Sequence, residues 1–453
     1  MFACGALLAV VMPPLAGFDE PVHFARAWQV SDGGIFPRER VQRDGTTDLF
    51  ARVPRSLQVD MRAILRDGLF DLHDAQFVYT HLDDPAPRGP RTWVGLEGAG
   101  EYSPVPYLPS AVAIRLGRVL GLSTLALIEV ARLAQVLAYA ALIGLALRRI
   151  KHRAVVVAVL ALAPVALIQV ATVSADPLTT ALTLLVVAEA SHLLSLSAAE
   201  IGRRQLGEVV AVLVALALAK PPYFLAAAFL LVPMWRLRGR VAAGLGGGLA
   251  AAGGLALAWN HWAQNHFVRL TGGVAPRGFE SYAFHNVEPK DQFGYVRSNP
   301  LRFLSTIGRT LARYPGDLVH GAFAQSPTWR PPGVMVLCVL VLLAAALAVS
   351  PEPVAGGGLM RLLGAAVALV LFVSLFLLAY VGWNAVAAPR IDAFQGRYLL
   401  PVVAVLAIVA APALPLRLPA ATEWRSRFAR AILAGSAATA LWVAIGMARF
   451  FYF

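Results

Sequence analysis

Asp19-Glu20-Pro21-Val22-His23-Phe24-Ala25-Arg26 sets two carboxylates, an imidazole and a guanidinium directly after an apolar run. Each group is costly beside hydrocarbon unless it is solvated, paired or used. Acid, base and cation alternating at one membrane boundary are what handling a proton and a phosphate requires. Asp19 and Pro21 alone would also make an ordinary solvated helix start. That leaves His23 and Arg26 unexplained, since they fall on the same helical face at spacings of three and four.

Other polar residues gather at the same level. Gln169, Thr172, Ser174 and Asp176 close one apolar run, and Pro177 opens the next. Asp176 reads equally as a helix cap. Lys220, one of three lysines, ends another run before Pro221-Pro222. It is either a snorkelling anchor or a cation for a phosphate. Arg397 stands in Gln395-Gly396-Arg397-Tyr398, where it could anchor the interface or grip a phosphate in bidentate fashion. Gly396 beside it would let the backbone approach a ligand closely. Tyr102 and Tyr107, in the loop Glu101–Pro109, fit an aromatic belt at headgroup level or the wall of a sugar or lipid-tail groove.

Some residues read as structural. Glu129/Arg132 and Glu189/His192, three apart on apolar runs, look like internal pairs. His261, His266, His285 and Asp291 lack metal-ligand spacing. Cys4 and Cys338 lie in apolar runs far apart and read as packing residues.

The elements that must position these groups are membrane spans. Of 453 residues, 58% are hydrophobic and 14% charged, against about 45–50% and about 25% in soluble chains. This excludes a soluble protein. The formal charge of +13 sits in short arginine clusters between apolar runs, a positive-inside pattern rather than a nucleic-acid footprint. Runs at 1–17, 125–147, 154–173, 178–196, 206–219, 222–235, 241–259, 333–349, 360–382, 398–415 and 430–449 make about eleven spans of bilayer length. The first run reads as a retained span, because it lacks a basic leader region and Pro13-Pro14 interrupts its end.

The stretch 105–121, with Arg115 and Arg118, is expected to lie in the interface. That single assumption puts Arg148–Arg153, Arg203-Arg204, Arg236/Arg238/Arg240, Arg361 and Arg417/Arg425/Arg427/Arg430 on the cytoplasmic side. Two large outer segments follow, 18–123 and 260–332. The first is rich in Pro, Gly, Asp and Arg, so short helices and turns are expected there. Gly244 to Gly254 lies in a span, where small residues let helices approach.

Together these residues resemble the bacterial membrane family DUF2142, a group placed among the GT-C glycosyltransferases. The likeness rests on Pro13-Pro14 with Asp19-Glu20-Pro21-Val22-His23-Phe24 and Arg26-Ala27-Trp28. It continues through Tyr102-Ser103-Pro104-Val105-Pro106-Tyr107-Leu108-Pro109, Ser174-Ala175-Asp176, Lys220-Pro221-Pro222-Tyr223 and Gln395-Gly396-Arg397-Tyr398. The resemblance implies one all-α, GT-C-like polytopic domain over residues 1–453 in the bacterial cytoplasmic (inner) membrane, its active site facing outside. Such enzymes pass a sugar from a polyprenyl-phosphate donor to an extracytoplasmic glycan or lipid-linked acceptor.

On that reading Asp19 is the general base, with Glu20 the alternative, and Arg397 and Lys220 hold the donor phosphate. His23 and Arg26 orient the phosphate or the acceptor, and Tyr102, Tyr107, Tyr398 and Asp176 complete the substrate site. A divalent cation, Mg or Mn, could join Asp19 and Asp176, although two carboxylates do not establish a metal site. The same cations would also serve a transporter or flippase of lipid-linked glycan, or a non-catalytic partner in envelope polysaccharide assembly.

Overall fold

The computed structural model describes residues 1–41, 47–69, 75–150, 152–266, 287–327, 329–350, 356–392, 394–410 and 422–453. Lys151, His285 and Arg417 lie outside the described residues. The chain is mostly helical. Among the described residues, five helices are long and apolar enough to cross a membrane: Thr124–Arg149 (α5), Asp176–Leu194 (α8), Gly239–Ala263 within α11, Gly357–Trp383 (α16) and Glu423–Tyr452 within α18. Shorter apolar helices cover Phe2–Val11 (α1), Pro221–Leu237, Gly333–Val349 (α15) and Gly396–Val409. Helix α8 is the central one, with 94% of its apolar window buried against 28% to 39% for the other four long helices.

The expectation of uniform spans gives way in three places. The run 154–173 divides into α6 (Ala154–Ala161) and α7 (Pro164–Val170). Pro164 lacks an amide hydrogen and drives Ala163 to an extended φ of −57° and ψ of 141°, ending α6. After α9 (Arg203–Ala219), Pro221-Pro222 opens a tight helix over Pro221–Leu230 before α10 (Leu231–Leu237). The run 398–415 starts as a tight turn, Gly396–Leu399, then passes through α17 (Leu400–Val405) into a wide turn over Leu406–Ala410. The glycine-rich stretch does pack closely. A Cβ on Gly248 would stand 2.5 Å from Val210 Cγ2, and one on Gly244 3.2 Å from Leu206 Cδ1, so α11 lies against α9 through its glycines.

The segment 18–123 holds more than helices and turns. Besides α2 (Glu20–Ser31), α3 (Arg55–Leu69) and α4 (Leu108–Val119), it carries an antiparallel sheet of β1 (Arg38–Val41), β2 (Thr47–Pro54) and β3 (Arg91–Gly95), in the order β1-β2-β3. The all-α expectation is corrected there. Alternation along β2 explains the strand: Leu49, Ala51 and Val53 are buried on one face with Phe24, Ala27 and Trp28 of α2, the period-two pattern of a half-buried strand. Helix α4 lies against α2, where Arg118 bonds Asp32 at 2.5 Å and Arg115 bonds the Ser31 carbonyl at 3.1 Å. Its Leu108, Val112 and Leu116, with Leu120 just beyond, stay exposed at intervals of four, one apolar stripe along the helix.

The segment 260–332 contributes α12 (Pro289–Ser298), α13 (Pro300–Arg313) and α14 (Pro315–Ala324) among its described residues. Of these, α14 packs on the turn that carries Arg397.

Candidate functional site

Four chain segments end at one place. Asp19 precedes α2, Asp176 starts α8, Lys220 follows α9 and Arg397 lies in the turn before α17. Lys220 is ion-paired with Asp176. Arg397 Nε lies 3.3 Å from the second oxygen of Asp176, and its Nη2 lies 3.8 Å from Asp19 Oδ2. Sequence reasoning named all four, and the structure brings them together.

Their settings differ. Asp176, Lys220 and Arg397 are buried, whereas the Asp19 side chain is 63% exposed. Asp19 also holds a left-handed backbone, φ 53° and ψ 20°, a conformation that Asp tolerates better than most residues and that clusters at functional sites. Two carboxylates and two cations leave the group formally neutral. Even so, Nε and Nη1 of Arg397 lack a hydrogen-bond partner although both are buried. Buried donors are nearly always satisfied, and an orphan needs an explanation. An oxyanion fits that position, because guanidinium presents its donors in a planar fork.

Aromatic rings complete the walls. The Lys220 ammonium sits 5.1 Å from the Tyr102 ring centroid and 4.9 Å from that of Tyr398. Arg397 stacks 3.8 Å from the Phe18 centroid and donates to the Tyr398 hydroxyl at 3.3 Å. These contacts hold both cations in place without neutralising them. A cavity of about 10 Å³, lined by Gln169, Thr179, Thr180, Tyr223, Arg397 and Tyr398 among others, has room for about one water.

His23 faces the group from α2. Its Nδ1 is 2.6 Å from the Tyr107 hydroxyl, and its ring stacks 6.0 Å from Tyr102. Burial lowers the His23 pKa from 6.5 to about 4, against the pull of Asp19 and Asp176. Burial likewise raises Tyr102 to about 12 and holds Tyr107 well above its ordinary value. His23 is therefore neutral at physiological pH. Between about 4 and 6.5 the unfolded chain binds a proton that the folded one refuses, so stability falls as pH drops through that window. The full shift corresponds to about 3 kcal/mol. Thermal unfolding from pH 7 to 4 should show the wild type losing stability relative to His23→Gln. Parallel curves would remove the neutral imidazole from the account.

Arg26 is placed apart from the charged group. Fully buried, it donates to Gln29 Oε1 at 2.7 Å and to the carbonyls of Ile35 at 2.8 Å, Tyr102 at 3.1 Å and Gly34 at 3.4 Å. It fastens α2 to the loop bearing Tyr102. Gly396 also differs from expectation. A Cβ there would stand 2.7 Å from the Leu318 carbonyl oxygen and from Gly321 Cα, so this glycine admits α14, not a ligand.

Glu20 points into the protein. It and Arg132 are both 0% exposed. Arg132 Nε and Nη2 grip the two carboxylate oxygens at 2.7 and 2.6 Å, while the amides of Gly17 and Val173 add bonds of 3.1 and 3.0 Å. Arg132 further donates to the carbonyls of Ala9, Met12 and Pro13 at 3.0, 2.7 and 2.9 Å. Its contact with Glu129, the partner expected from spacing, is 3.5 Å and minor by comparison.

Three supporting residues escaped sequence reasoning. Gln325 accepts from the Arg397 amide at 3.0 Å, Gly321 lets α14 close on that turn, and Gln135 holds the Ser174 carbonyl at 2.6 Å. A buried arginine within an apolar span demands a buried acid, and that signal could have paired Arg132 with Glu20.

A divalent cation does not fit the residues present. Among the described residues no group of three or more His, Cys, Asp or Glu is placed for a metal. Asp19 and Asp176 both face the Arg397 guanidinium, where a hard cation wants about six oxygens.

A family model described as "Predicted membrane protein (DUF2142)" matches residues 2–406. No curated protein and no solved structure matches the chain.

Proposed function

This chain belongs to the DUF2142 family of predicted membrane proteins, and from that premise we propose that it is a membrane glycosyltransferase. It transfers a sugar from a polyprenyl-phosphate donor to a hydroxyl acceptor on the outer side of the membrane. The observation that carries this reading is the exposed Asp19 carboxylate 3.8 Å from a buried Arg397 whose Nη1 has no partner. A base open to the acceptor and a cation aimed at the leaving group then stand side by side.

In the reaction Asp19 accepts the acceptor hydroxyl proton, and the oxygen attacks the anomeric carbon from the face opposite the phosphate. The bond from that carbon to the phosphate oxygen breaks, and polyprenyl phosphate leaves with the electron pair. Arg397 and Lys220 offset the charge that grows on it. The sugar inverts at its anomeric carbon. Asp19 takes the base role rather than Glu20, because both Glu20 oxygens are occupied by Arg132. Asp176 keeps the two cations apart yet adjacent until the phosphate arrives.

The donor half of this reading has a direct test. Arg397→Gln should weaken binding of a polyprenyl phosphate by about tenfold to a hundredfold, the value of one charge-assisted bidentate contact. Titration of the purified protein in detergent, followed by native mass spectrometry, measures it. An unchanged affinity would take Arg397 out of phosphate binding.

A further inference from the structure

The outward face of the sheet concentrates positive charge, four arginines against the single acid Asp48. Register fixes which side chains share that face. Arg38 is opposite Phe50, Arg40 opposite Asp48, Arg52 opposite Trp93 and Pro54 opposite Arg91. Directly paired residues project to the same side, so four arginines, Asp48, Phe50 and Trp93 stand together, opposite the buried Leu49, Ala51 and Val53. Arg91 is paired with Asp32. Among the described residues, Arg38, Arg40 and Arg52 form no ion pair.

Two of these side chains rest against aromatic rings. Arg40 lies 4.6 Å from the Trp93 ring centroid and 6.0 Å from that of Phe50, and Arg52 lies 5.4 Å from Trp93. The rings hold each guanidinium over a fixed spot on the sheet. A planar cation held this way loses less freedom when it meets a carboxylate or phosphate. Residues two apart on a strand are about 6.8 Å apart, so the face offers several anchoring points along one chain.

We infer that this face binds an acidic glycan, a sugar polymer carrying carboxylate or phosphate groups along its length. The charge complementarity commits it to a polyanion. A lipid surface fits less well, because the large apolar side chains that the described residues put on the face, Phe50 and Trp93, already lie against guanidinium groups. The apolar stripe of α4 has no such cover and suits a bilayer better. The inference goes beyond the reading of the Asp19 site and does not depend on it.

The test uses full-length protein in phosphatidylcholine nanodiscs and polygalacturonate, which bears one carboxylate per sugar, with dextran as the neutral counterpart. The wild type should bind polygalacturonate, less tightly at high salt, and should ignore dextran. The triple variant Arg38→Gln/Arg40→Gln/Arg52→Gln should bind at least about tenfold more weakly. Arg38→Glu, a single change at an exposed edge position free of ring contacts, should weaken binding too. An unchanged size-exclusion profile and unfolding temperature in each variant certify the fold. The inference is overturned by absent polygalacturonate binding, by equal binding of dextran, or by affinity that all variants share. Arginine-dependent capture of phosphatidylglycerol vesicles with no capture of polygalacturonate would assign the face to a membrane instead.

Discussion

Asp19→Asn should slow sugar transfer by about a hundredfold to ten-thousandfold, the range that a positioned general base contributes. The substitution removes the one carboxylate of the group that is open to solvent, with a side chain 63% exposed, and changes little else. Asparagine has nearly the same shape and accepts the left-handed backbone that Asp19 adopts, φ 53°. Its contact with Arg397, at 3.8 Å, is too long to support much of the fold. Expression and unfolding temperature should therefore match the wild type, and the loss should fall on turnover rather than on donor affinity. Steady-state transfer rates beside a donor titration separate the two. Retained turnover in this variant would remove Asp19 from the mechanism.

Glu20→Ala or Arg132→Leu should each prevent accumulation of folded protein. Both partners are 0% exposed, so removing one leaves a bare charge in the interior, which costs about 3–5 kcal/mol. That is a large share of a typical stability of about 5–15 kcal/mol. Arg132→Leu also leaves the carbonyls of Ala9, Met12 and Pro13 without this donor, freeing the end of α1 from α5. The double variant Glu20→Leu/Arg132→Met removes both charges and should recover part of the loss. Size-exclusion profiles of tagged protein, before and after heating, report all three. Single variants that behave like the wild type would contradict the structural role of the pair.

How much of this was legible depends on distance along the chain. The five long helices came from unbroken apolar runs, which length and hydropathy reveal without tertiary context. Asp19, Asp176, Lys220 and Arg397 could be named because each is a charged residue at the end of an apolar run, where charge demands a reason. Their mutual geometry was not legible, since nothing local relates α2 to a turn near residue 397. The same limit hid the Glu20–Arg132 pair: local spacing offered Glu129, and the better partner lay on another helix. It also hid Gln325 and Gly321, ordinary residues whose role exists only once α14 docks. The sheet was missed for a different reason. Its strands are short, and only β2 alternates long enough to stand out from the prolines and glycines around it. Pro164 was visible, yet it sits in the middle of a single apolar run of span length, 154–173, which masked the break.

The most direct test is a transfer assay on the purified protein in lipid, with a panel of polyprenyl-phosphate sugars and a crude envelope acceptor. Wild type and Asp19→Asn run side by side. The wild type should transfer sugar from at least one donor, with inversion at the anomeric carbon, and the variant should not. Donor binding without transfer in both proteins would contradict it and favour a transporter or a non-catalytic partner in glycan assembly.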